Sequence, residues 1–224
     1  MSDVMYTDKC FAKLMLNNKI IRANDKLHPA SLKNWRRIFA GTDETYTAAD
    51  GTSRKLTSLI GIEIIDYNKN KTSGEKTGNS LEYNLSVDNI KTISRNIERG
   101  LKFEGVLFSN IKTHSFVKRQ DGKGEVVSFE IKRESVMSNG IKSKYPYSIT
   151  IKKGWAFLME EGVGYNGKSY EQDCYLTVRL SYADITAFFD KVMDGIEIFK
   201  IVEGSNLRRK GVQYELHEND LRAG

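Results

Sequence analysis

Apolar and polar positions follow the same order twice in this chain, 95 residues apart. In each copy, apolar residues first alternate with polar ones, over residues 81–85 and again over residues 176–180. They then recur at intervals of three and four, over residues 87–99 and again over residues 182–194. The alternation predicts a half-buried strand, and the longer period predicts one face of an amphipathic helix. The chain therefore contains a duplicated strand–helix unit.

Cap residues at the expected positions bound the two predicted helices. Ser86 and Ser181 stand where a helix N-cap belongs, and Asp184 can complete a capping box with Ser181. Gly100 and Gly195 stand where a left-handed C-cap would end each helix. These signals predict helices over residues 87–99 and 182–194.

Strand patterns precede each strand–helix unit. In the first half they cover residues 10–21, with a turn at Asn17–Asn18, and residues 59–67. In the second half they cover residues 103–117, 125–134 and 147–160. The fold class is therefore predicted to be α+β, a duplicated four-stranded antiparallel sheet plus helix (ββββα–ββββα).

The domain organisation follows from this order. We predict a single domain over residues 1–224 that contains two repeats, residues 5–100 and residues 101–195. Residues 196–224 form a C-terminal extension, with a short strand over residues 196–202 and a polar, acidic tail.

Several classes of protein are disfavoured by the composition. The two cysteines, Cys10 and Cys174, stand in unrelated contexts and suggest no disulfide framework. No apolar run has the length of a membrane span, and the first residues lack the apolar core of a signal peptide. A cytoplasmic, bacterial or phage-encoded protein without a membrane partner is expected, and an organellar location stays open.

Catalytic and cofactor motifs are not supported either. Gly162, Gly164 and Gly167 match the spacing G-x-G-x-x-G, but a strand pattern follows them where nucleotide binding needs a helix N-terminus. The three histidines have no Cys or carboxylate at the spacing of metal ligands. We therefore predict a protein that is not an enzyme and that holds no cofactor and no metal.

Positive charge is concentrated in one region. Residues 118–153 contain nine basic and four acidic side chains, which leaves +5 of the total net charge of +6. A local basic surface favours a polyanionic partner such as nucleic acid, although a solvated lysine-rich face is the common alternative.

Aromatic residues interleave with these basic residues, a combination suited to single strands, because rings stack on unpaired bases while cations neutralise phosphates. The first phosphate-contact candidates are Lys132, Arg133, Lys152 and Lys153. The second set is Arg36, Arg37, Lys118 and Arg119. The stacking candidates are Trp155, Tyr147 and Trp35. A core position for Trp155 stays open, because its strand alternates and one face of that strand must be buried.

Residues 83–92 resemble the F-S-L-S-V-x-x-I-x-T segment that enters the first helix of the Whirly family of single-stranded DNA-binding proteins, a family that is similar to the coactivator PC4. Residues 175–188 are similar to the strand that enters the second helix of that family. The resemblance implies single strands that cross the sheet edges, helices at a tetramer centre and no cofactor. The family's K-G-N-A-L-x-x-K motif is absent.

Assembly and function are predicted together. The apolar face of the second predicted helix is broader than one sheet needs, so part of it is expected to form the interface of a homotetramer. Its members are Ile185, Phe188, Phe189, Val192 and Met193.

The predicted function is sequence-tolerant binding of single-stranded DNA. RNA binding by the same fold is the first alternative, and an oligomeric structural protein without a nucleic-acid ligand is the second. A saddle-shaped domain that reads duplex DNA through its minor groove is a third, and exposed phenylalanines at strand ends would favour it.

Overall fold

The computed structural model describes residues 10–47, 51–67, 80–100, 103–136, 140–159 and 164–223. In the first half, the strands are β1 (Cys10–Met15), β2 (Lys19–Lys26), β3 (Thr45–Thr47), β4 (Ser53–Lys55), β5 (Leu59–Asp66) and β6 (Ser80–Leu85). Helix α1 (Val87–Arg99) follows. In the second half, the elements are β7 (Gly105–Lys118), β8 (Gly124–Arg133), β9 (Tyr147–Ala156), β10 (Glu171–Leu180) and helix α2 (Tyr182–Ala223). Short 3₁₀ turns cover Leu32–Asn34 and Gly167–Ser169.

Two four-stranded sheets form the fold. Sheet 1 has the order β1-β2-β5-β6 and sheet 2 the order β10-β9-β8-β7, and all neighbouring strands are antiparallel. The β3–β4 hairpin is inserted between β2 and β5 and pairs only with itself among the described residues. Each sheet is followed by one helix, so the predicted fold class is confirmed.

The inner faces of the sheets meet in a common core, to which both helices contribute. Ile60, Ile62 and Ile64 alternate along β5 and are fully buried, as are Ile149 and Ile151 on β9. The side-chain period of two in a strand places each of these sets on one face. Burial of this apolar area is the main stabilising contribution to the fold.

Both helices begin at the predicted serines. The backbone N–H of Asn89 donates to Ser86 Oγ at 3.1 Å, and the Asn89 side chain closes a capping box. The backbone N–H of Asp184 donates to Ser181 Oγ at 3.1 Å in the same way. Each box satisfies N–H groups that the first turn of a helix leaves without partners.

The predicted left-handed C-caps are wrong at both glycines. Gly100 has φ −75°, and α2 continues through Gly195 without a break. A Cβ on Gly195 would lie 2.2 Å from Cδ1 of Phe11, and one on Gly100 would lie 3.0 Å from Cδ2 of Leu107. Both glycines therefore serve close packing rather than chain reversal.

The extension after residue 195 is helical, so the predicted strand over residues 196–202 is also wrong. Its inward positions continue the packing of α2: the ring of Phe199 stacks on Phe39 with centroids 5.5 Å apart, and Leu207 is buried. Gly211 lies directly against Trp35. The inward residues Ile196, Phe199 and Leu207 are three and eight positions apart, which is the spacing of one helix face and not the period of two of a strand.

The predicted oligomer interface lies inside the protomer. Ile185, Phe188, Phe189 and Val192 are at most 1% exposed, and Met193 packs partly buried against the same core. The broad apolar face is needed because this part of α2 contributes to a core shared by both sheets and α1. These five side chains are thus corrected from interface to core.

Candidate nucleic-acid interface

The inner face of sheet 2 changes character along its strands. On β9, the buried Ile149 and Ile151 are followed on the same face by Lys153 and Trp155, which are half-buried. On β8, the buried Phe129 is followed in the opposite chain direction by the half-buried Val127 and Glu125. The apolar core therefore ends before the sheet does, and polar and aromatic side chains occupy the remaining part.

A groove of about 460 Å³ opens there, between the inner face of sheet 2 and strand β6 of sheet 1. We call it the inter-sheet groove. Its lining residues are Leu59, Ser80, Leu81, Glu82, Tyr83, Asn84, Lys112, His114, Glu125, Val127 and Lys153. β6 and β7 are edge strands of their sheets, and the groove extends from them across the inner face of sheet 2 to β8 and β9.

Lysines give the groove its positive groups. Lys112 Nζ donates to the carbonyl oxygen of Asn84 and lies 5.0 Å from the ring centroid of Tyr83. Burial, and secondarily the charge of Lys26, lower the pKa of Lys112 below its ordinary value. Lys26 itself pairs with Glu82 and donates to Asn84 Oδ1 at 2.8 Å. Lys112 and Lys153 thus supply the ammonium groups of the groove lining, and Lys26 holds Glu82 and Asn84 from outside it.

The Tyr83 hydroxyl fixes one wall of this groove. It donates to Asn110 Oδ1 at 2.9 Å, and its ring stacks on Phe129 with centroids 5.5 Å apart. Burial raises the pKa of Tyr83 far above its ordinary value, so the phenol stays neutral. Its position is therefore structural, and it holds β6 against sheet 2.

Aromatic rings meet basic side chains at the end of sheet 2 next to the groove, where Lys118 is exposed, Arg119 is half-buried and Lys123 is buried. β7 is irregular between His114 and Lys118, and Phe116 protrudes there with 82% of its surface exposed. The guanidinium of Arg119 lies 5.9 Å from the ring centroid of Trp155, and Lys123 Nζ lies 5.5 Å from that of Phe157. We call this set the aromatic–basic rim. Its members are Phe116, Lys118, Arg119, Lys123, Trp155 and Phe157.

Acidic side chains hold two of the rim cations in place. Arg119 pairs with Asp121 and, at 2.6 Å, with Glu171, and Lys123 pairs with the same two carboxylates. The hydrogen bonds from Lys123 and then Arg119 lower the pKa of Glu171, and the Arg119 hydrogen bond lowers that of Asp121. Lys118 is exposed and is not within ion-pair distance of any carboxylate in the described ranges.

Only part of the predicted set comes together at this site. Lys153 lines the groove, and Trp155, Lys118 and Arg119 belong to the rim. Lys132 and Lys152 lie on the outer face of sheet 2, where Lys132 pairs with Glu134. Their predicted phosphate contacts stay predictions, on a surface that the groove does not reach.

Arg133 and Tyr147 lie at the opposite end of sheet 2. Arg133 pairs with Glu104 at 2.9 Å and donates to the carbonyl oxygen of Phe103. Tyr147 is 1% exposed in the core, and burial raises its pKa. A ring without an accessible face cannot stack on a base, so the stacking role of Tyr147 is corrected.

Trp35, Arg36 and Arg37 are also engaged elsewhere. Trp35 Nε1 donates to Glu215 Oε1 at 3.0 Å, and Arg36 pairs with the same carboxylate at 2.9 Å. Arg37 pairs with Asp43 and Glu44, and the hydrogen bond to Asp43 raises its pKa. Trp35 packs its ring on Gly211 of α2 and is half-buried, so its stacking role stays a prediction outside the groove and the rim.

Sequence reasoning missed Lys112, His114 and Phe116. The signal was present, since the polar residues Lys112 and His114 share strand parity with Phe108 and so lie on the inner face of β7. Elsewhere along β7 the same face packs against the core. Polar residues on that face therefore indicate the point along the strand where the core ends.

Other sites are not supported by the described part of the chain. Its histidine, cysteine, aspartate and glutamate side chains form no group of three that could hold a metal ion. None of its helices combines the length and apolar character that a membrane crossing requires.

Comparisons with known proteins give a structural resemblance only. No protein-family model matches the chain, and no curated protein is similar to it in sequence. The crystal structure of WHY1 from Arabidopsis thaliana is 9% identical, with a TM-score of 0.42 over 92% of this chain and 92% of that chain. The plant transcriptional regulator PBF-2 is 7% identical, with a TM-score of 0.42 over 90% of this chain and 85% of that chain. Both belong to the Whirly family, the family that residues 83–92 resemble, and at these values the function of this chain has to be judged from its own side chains.

Proposed function

We propose that the protein binds single-stranded nucleic acid, with DNA as its first ligand, along the inter-sheet groove and the aromatic–basic rim. The observation that carries this proposal is the exposure of Phe116 and the partial exposure of Trp155 and Phe157 beside Lys118, Arg119 and Lys123. Ring faces bind unpaired bases of any sequence, while the cations contact phosphates. The strand therefore crosses the end of sheet 2 with its bases toward the rings.

The acidic partners of the rim cations fit this role. Asp121 and Glu171 hold Arg119 beside the Trp155 ring before a ligand arrives, and phosphate can then replace them at Arg119, while Lys123, with 10% of its side chain exposed, stays paired with the two carboxylates. Pre-positioned cations lose less side-chain entropy on binding. Binding of this kind weakens with salt, because neutralised phosphates release counterions.

A duplex-binding saddle is the second candidate, since Phe103 and Phe116 are both exposed near the ends of β7. A saddle needs an open sheet face that a widened minor groove can cover. The inner face of sheet 2 is instead buried against sheet 1 between these two positions, as Phe129 and Ile131 show. This geometry favours a single strand at one end of the sheet.

The homotetramer stays part of the proposal, through a different surface. Part of α2 exposes an apolar stripe one helix face wide, which we call the α2 stripe. Its members are Ile198, Ile201, Val202, Val212 and Leu216, each at least 44% exposed. Apolar stripes on a helix are covered by another helix in the common case, and a symmetric assembly provides one. A cytoplasmic location in a bacterial or phage setting also stays a prediction.

Fluorescence anisotropy on labelled oligo-dT, oligo-U and a random duplex, at two salt concentrations, tests the proposal. Tighter binding of oligo-dT than of the duplex is expected, with an affinity that falls as salt rises. Equal affinity for single strand and duplex points to charge alone or to the saddle, and tighter oligo-U binding assigns the site to RNA. No binding to any of the three probes rejects nucleic-acid binding and favours the alternative of an oligomeric structural protein without a nucleic-acid ligand.

A further inference from the structure

The inter-sheet groove contains a carboxylate that phosphate binding does not use. Glu125 on β8 has 13% of its side chain exposed and forms an ion pair with Lys153 on β9. Its neighbours across the sheet are His114 on β7 and Trp155 on β9. A carboxylate disfavours phosphate at this point of the groove and can accept hydrogen bonds from a ligand group that donates them.

The second groove carboxylate is not equivalent to it. Glu82 is bound by Lys26 at 2.5 Å through one oxygen and by the Asn24 side chain at 2.9 Å through the other. Both of its oxygens are thus already bound by side chains of strand β2. Glu125 instead lies beside Lys153 inside the groove, which places an acceptor next to a donor.

That pairing of groups matches one base better than the others. To a carboxylate, guanine offers two neighbouring donors, N1–H and the exocyclic N2–H. Its O6 acceptor lies next to them. Thymine and uracil present one N–H between two carbonyl oxygens, and adenine and cytosine present a single amino group. Bidentate, charge-assisted hydrogen bonds of this kind are the strong ones in base recognition.

We propose that Glu125 and Lys153 form a pocket for a single unpaired guanine, which sets the register of an otherwise sequence-tolerant strand. Glu125 accepts from N1–H and N2–H, and Lys153 donates to O6. The groove volume of about 460 Å³ lies within the roughly 300–1,000 Å³ of small-ligand sites, and Val127 and Leu81 give it apolar walls. This inference rests on the proposed function and adds a base preference to it.

Anisotropy on the full chain tests the pocket with five oligo-dT probes. One is unmodified, and the others carry a single central dG, dI, dA or dC. The base of dI, hypoxanthine, is guanine without the N2 amino group. The dI probe therefore lacks one of the two donors and otherwise matches the dG probe. We expect the dG probe to bind on the order of tenfold more tightly than the dI probe.

Matched variants assign this difference to a residue. Glu125→Gln and Glu82→Gln each remove one negative charge from the groove, so both change the general attraction for phosphate in the same direction. Only Glu125→Gln is expected to abolish the difference between dG and dI. Thermal melting of both variants checks that they fold, and the wild-type comparison of dG with dI needs no variant at all.

The outcomes separate this inference from the proposed function. Equal affinity for dG and dI, with tight binding of unmodified oligo-dT, overturns the guanine pocket and leaves the proposed function intact. The guanine pocket is also overturned if the difference in affinity between dG and dI disappears in Glu82→Gln but persists in Glu125→Gln. Failure of every probe to bind rejects the proposed function itself.

Discussion

Phe11 on β1 occupies the space beside Gly195 on α2, with its Cδ1 atom 2.2 Å from the position that a Cβ on Gly195 would take. A glycine inside a helix is unfavourable for the helix alone, because it loses more backbone entropy than alanine. Here it lets helix α2 approach strand β1. This contact joins an element of the second half of the fold to sheet 1.

Gly195→Ala is expected to lower the free energy of unfolding by up to about 2 kcal/mol, because an overpacking cost of about 1–3 kcal/mol is only partly offset by a helix-propensity gain of about 1 kcal/mol. The matched control is Gly204→Ala in the same helix, where the nearest atom is Ile38 Cδ1 at 3.3 Å. The control is expected to be neutral or slightly stabilising. Urea denaturation measures both, and equal stability of the two variants would contradict the packing role of Gly195.

Much of the fold was predictable from local patterns. The strands of the two four-stranded sheets, their order of four before each helix, and the serine caps all follow from short-range periodicity and hydrogen-bonding needs, whereas the β3–β4 hairpin was not predicted. The length of α2 was not predictable in this way. Gly195 looks like a helix end in sequence, and only its distant neighbour Phe11 explains why the helix continues.

The site was predictable only in part for a related reason. Lys153 and Trp155 carry the mixed basic and aromatic pattern in their own strand. Trp35 carries the same pattern but is held by Glu215, which lies 180 positions away. Tyr147 is buried although lysines follow it in β9, because the core covers one end of that strand and not the other. The local sequence identifies the basic and aromatic residues that could bind nucleic acid. Long-range contacts decide which of these residues are exposed in the fold.

Phe116→Ala is expected to weaken oligo-dT binding by about 1–3 kcal/mol through loss of a stacking face, with little change in salt dependence. Its ring is 82% exposed, so the folded state should lose little stability. Phe103→Ala is the control, since Phe103 is 66% exposed just before the other end of β7. Anisotropy should show a loss for Phe116→Ala alone, and equal losses would place the strand elsewhere.

Lys118→Ala is expected to reduce the slope of log affinity against log salt by about one unit, because one phosphate contact and its released counterion are lost. Lys152→Ala is the comparison, since Lys152 lies on the outer face of sheet 2, away from the groove. Salt titrations of oligo-dT binding measure both slopes. A reduced slope for Lys152→Ala instead would show that the strand follows the outer face.

Glu63→Gln is expected to lower the free energy of unfolding at pH 7 by about 1–3 kcal/mol, because the buried carboxylate loses charge-assisted hydrogen bonds. Glu63 is bound by Ser80, by Arg22 at 2.6 Å and by Asn24 at 3.1 Å. Burial alone raises its pKa, but these hydrogen bonds outweigh that effect and hold the pKa below its ordinary value.

The sign of the pH dependence follows from this lowered pKa. The unfolded chain binds the proton more tightly than the folded one, so the stabilisation is complete above the ordinary carboxyl pKa of about 4. It is lost as the pH falls toward the folded pKa. Urea denaturation from pH 7 to pH 3 should therefore show Glu63→Gln converging on the wild type. Glu98→Gln, at an exposed position of α1, should follow the wild type throughout.

Ile201→Asp is expected to lower the mass measured by light scattering without lowering the melting temperature, because Ile201 is 69% exposed on the α2 stripe. Phe189→Asp should instead unfold the chain, since that ring is 1% exposed in the core. A wild-type protein that is monomeric at micromolar concentration rejects the tetramer.

The length of α2 also affects the order in which contacts can form during synthesis. Trp35 leaves the ribosome 180 residues ahead of Glu215, its partner on the helix. At about 5–20 residues per second, the delay is roughly 9–36 s. During that time the surface around Trp35 and Phe39 lacks the segment of α2 that covers it in the finished fold. A nascent chain therefore exposes this apolar surface, to which chaperones can bind, until the covering segment of α2 has been synthesised.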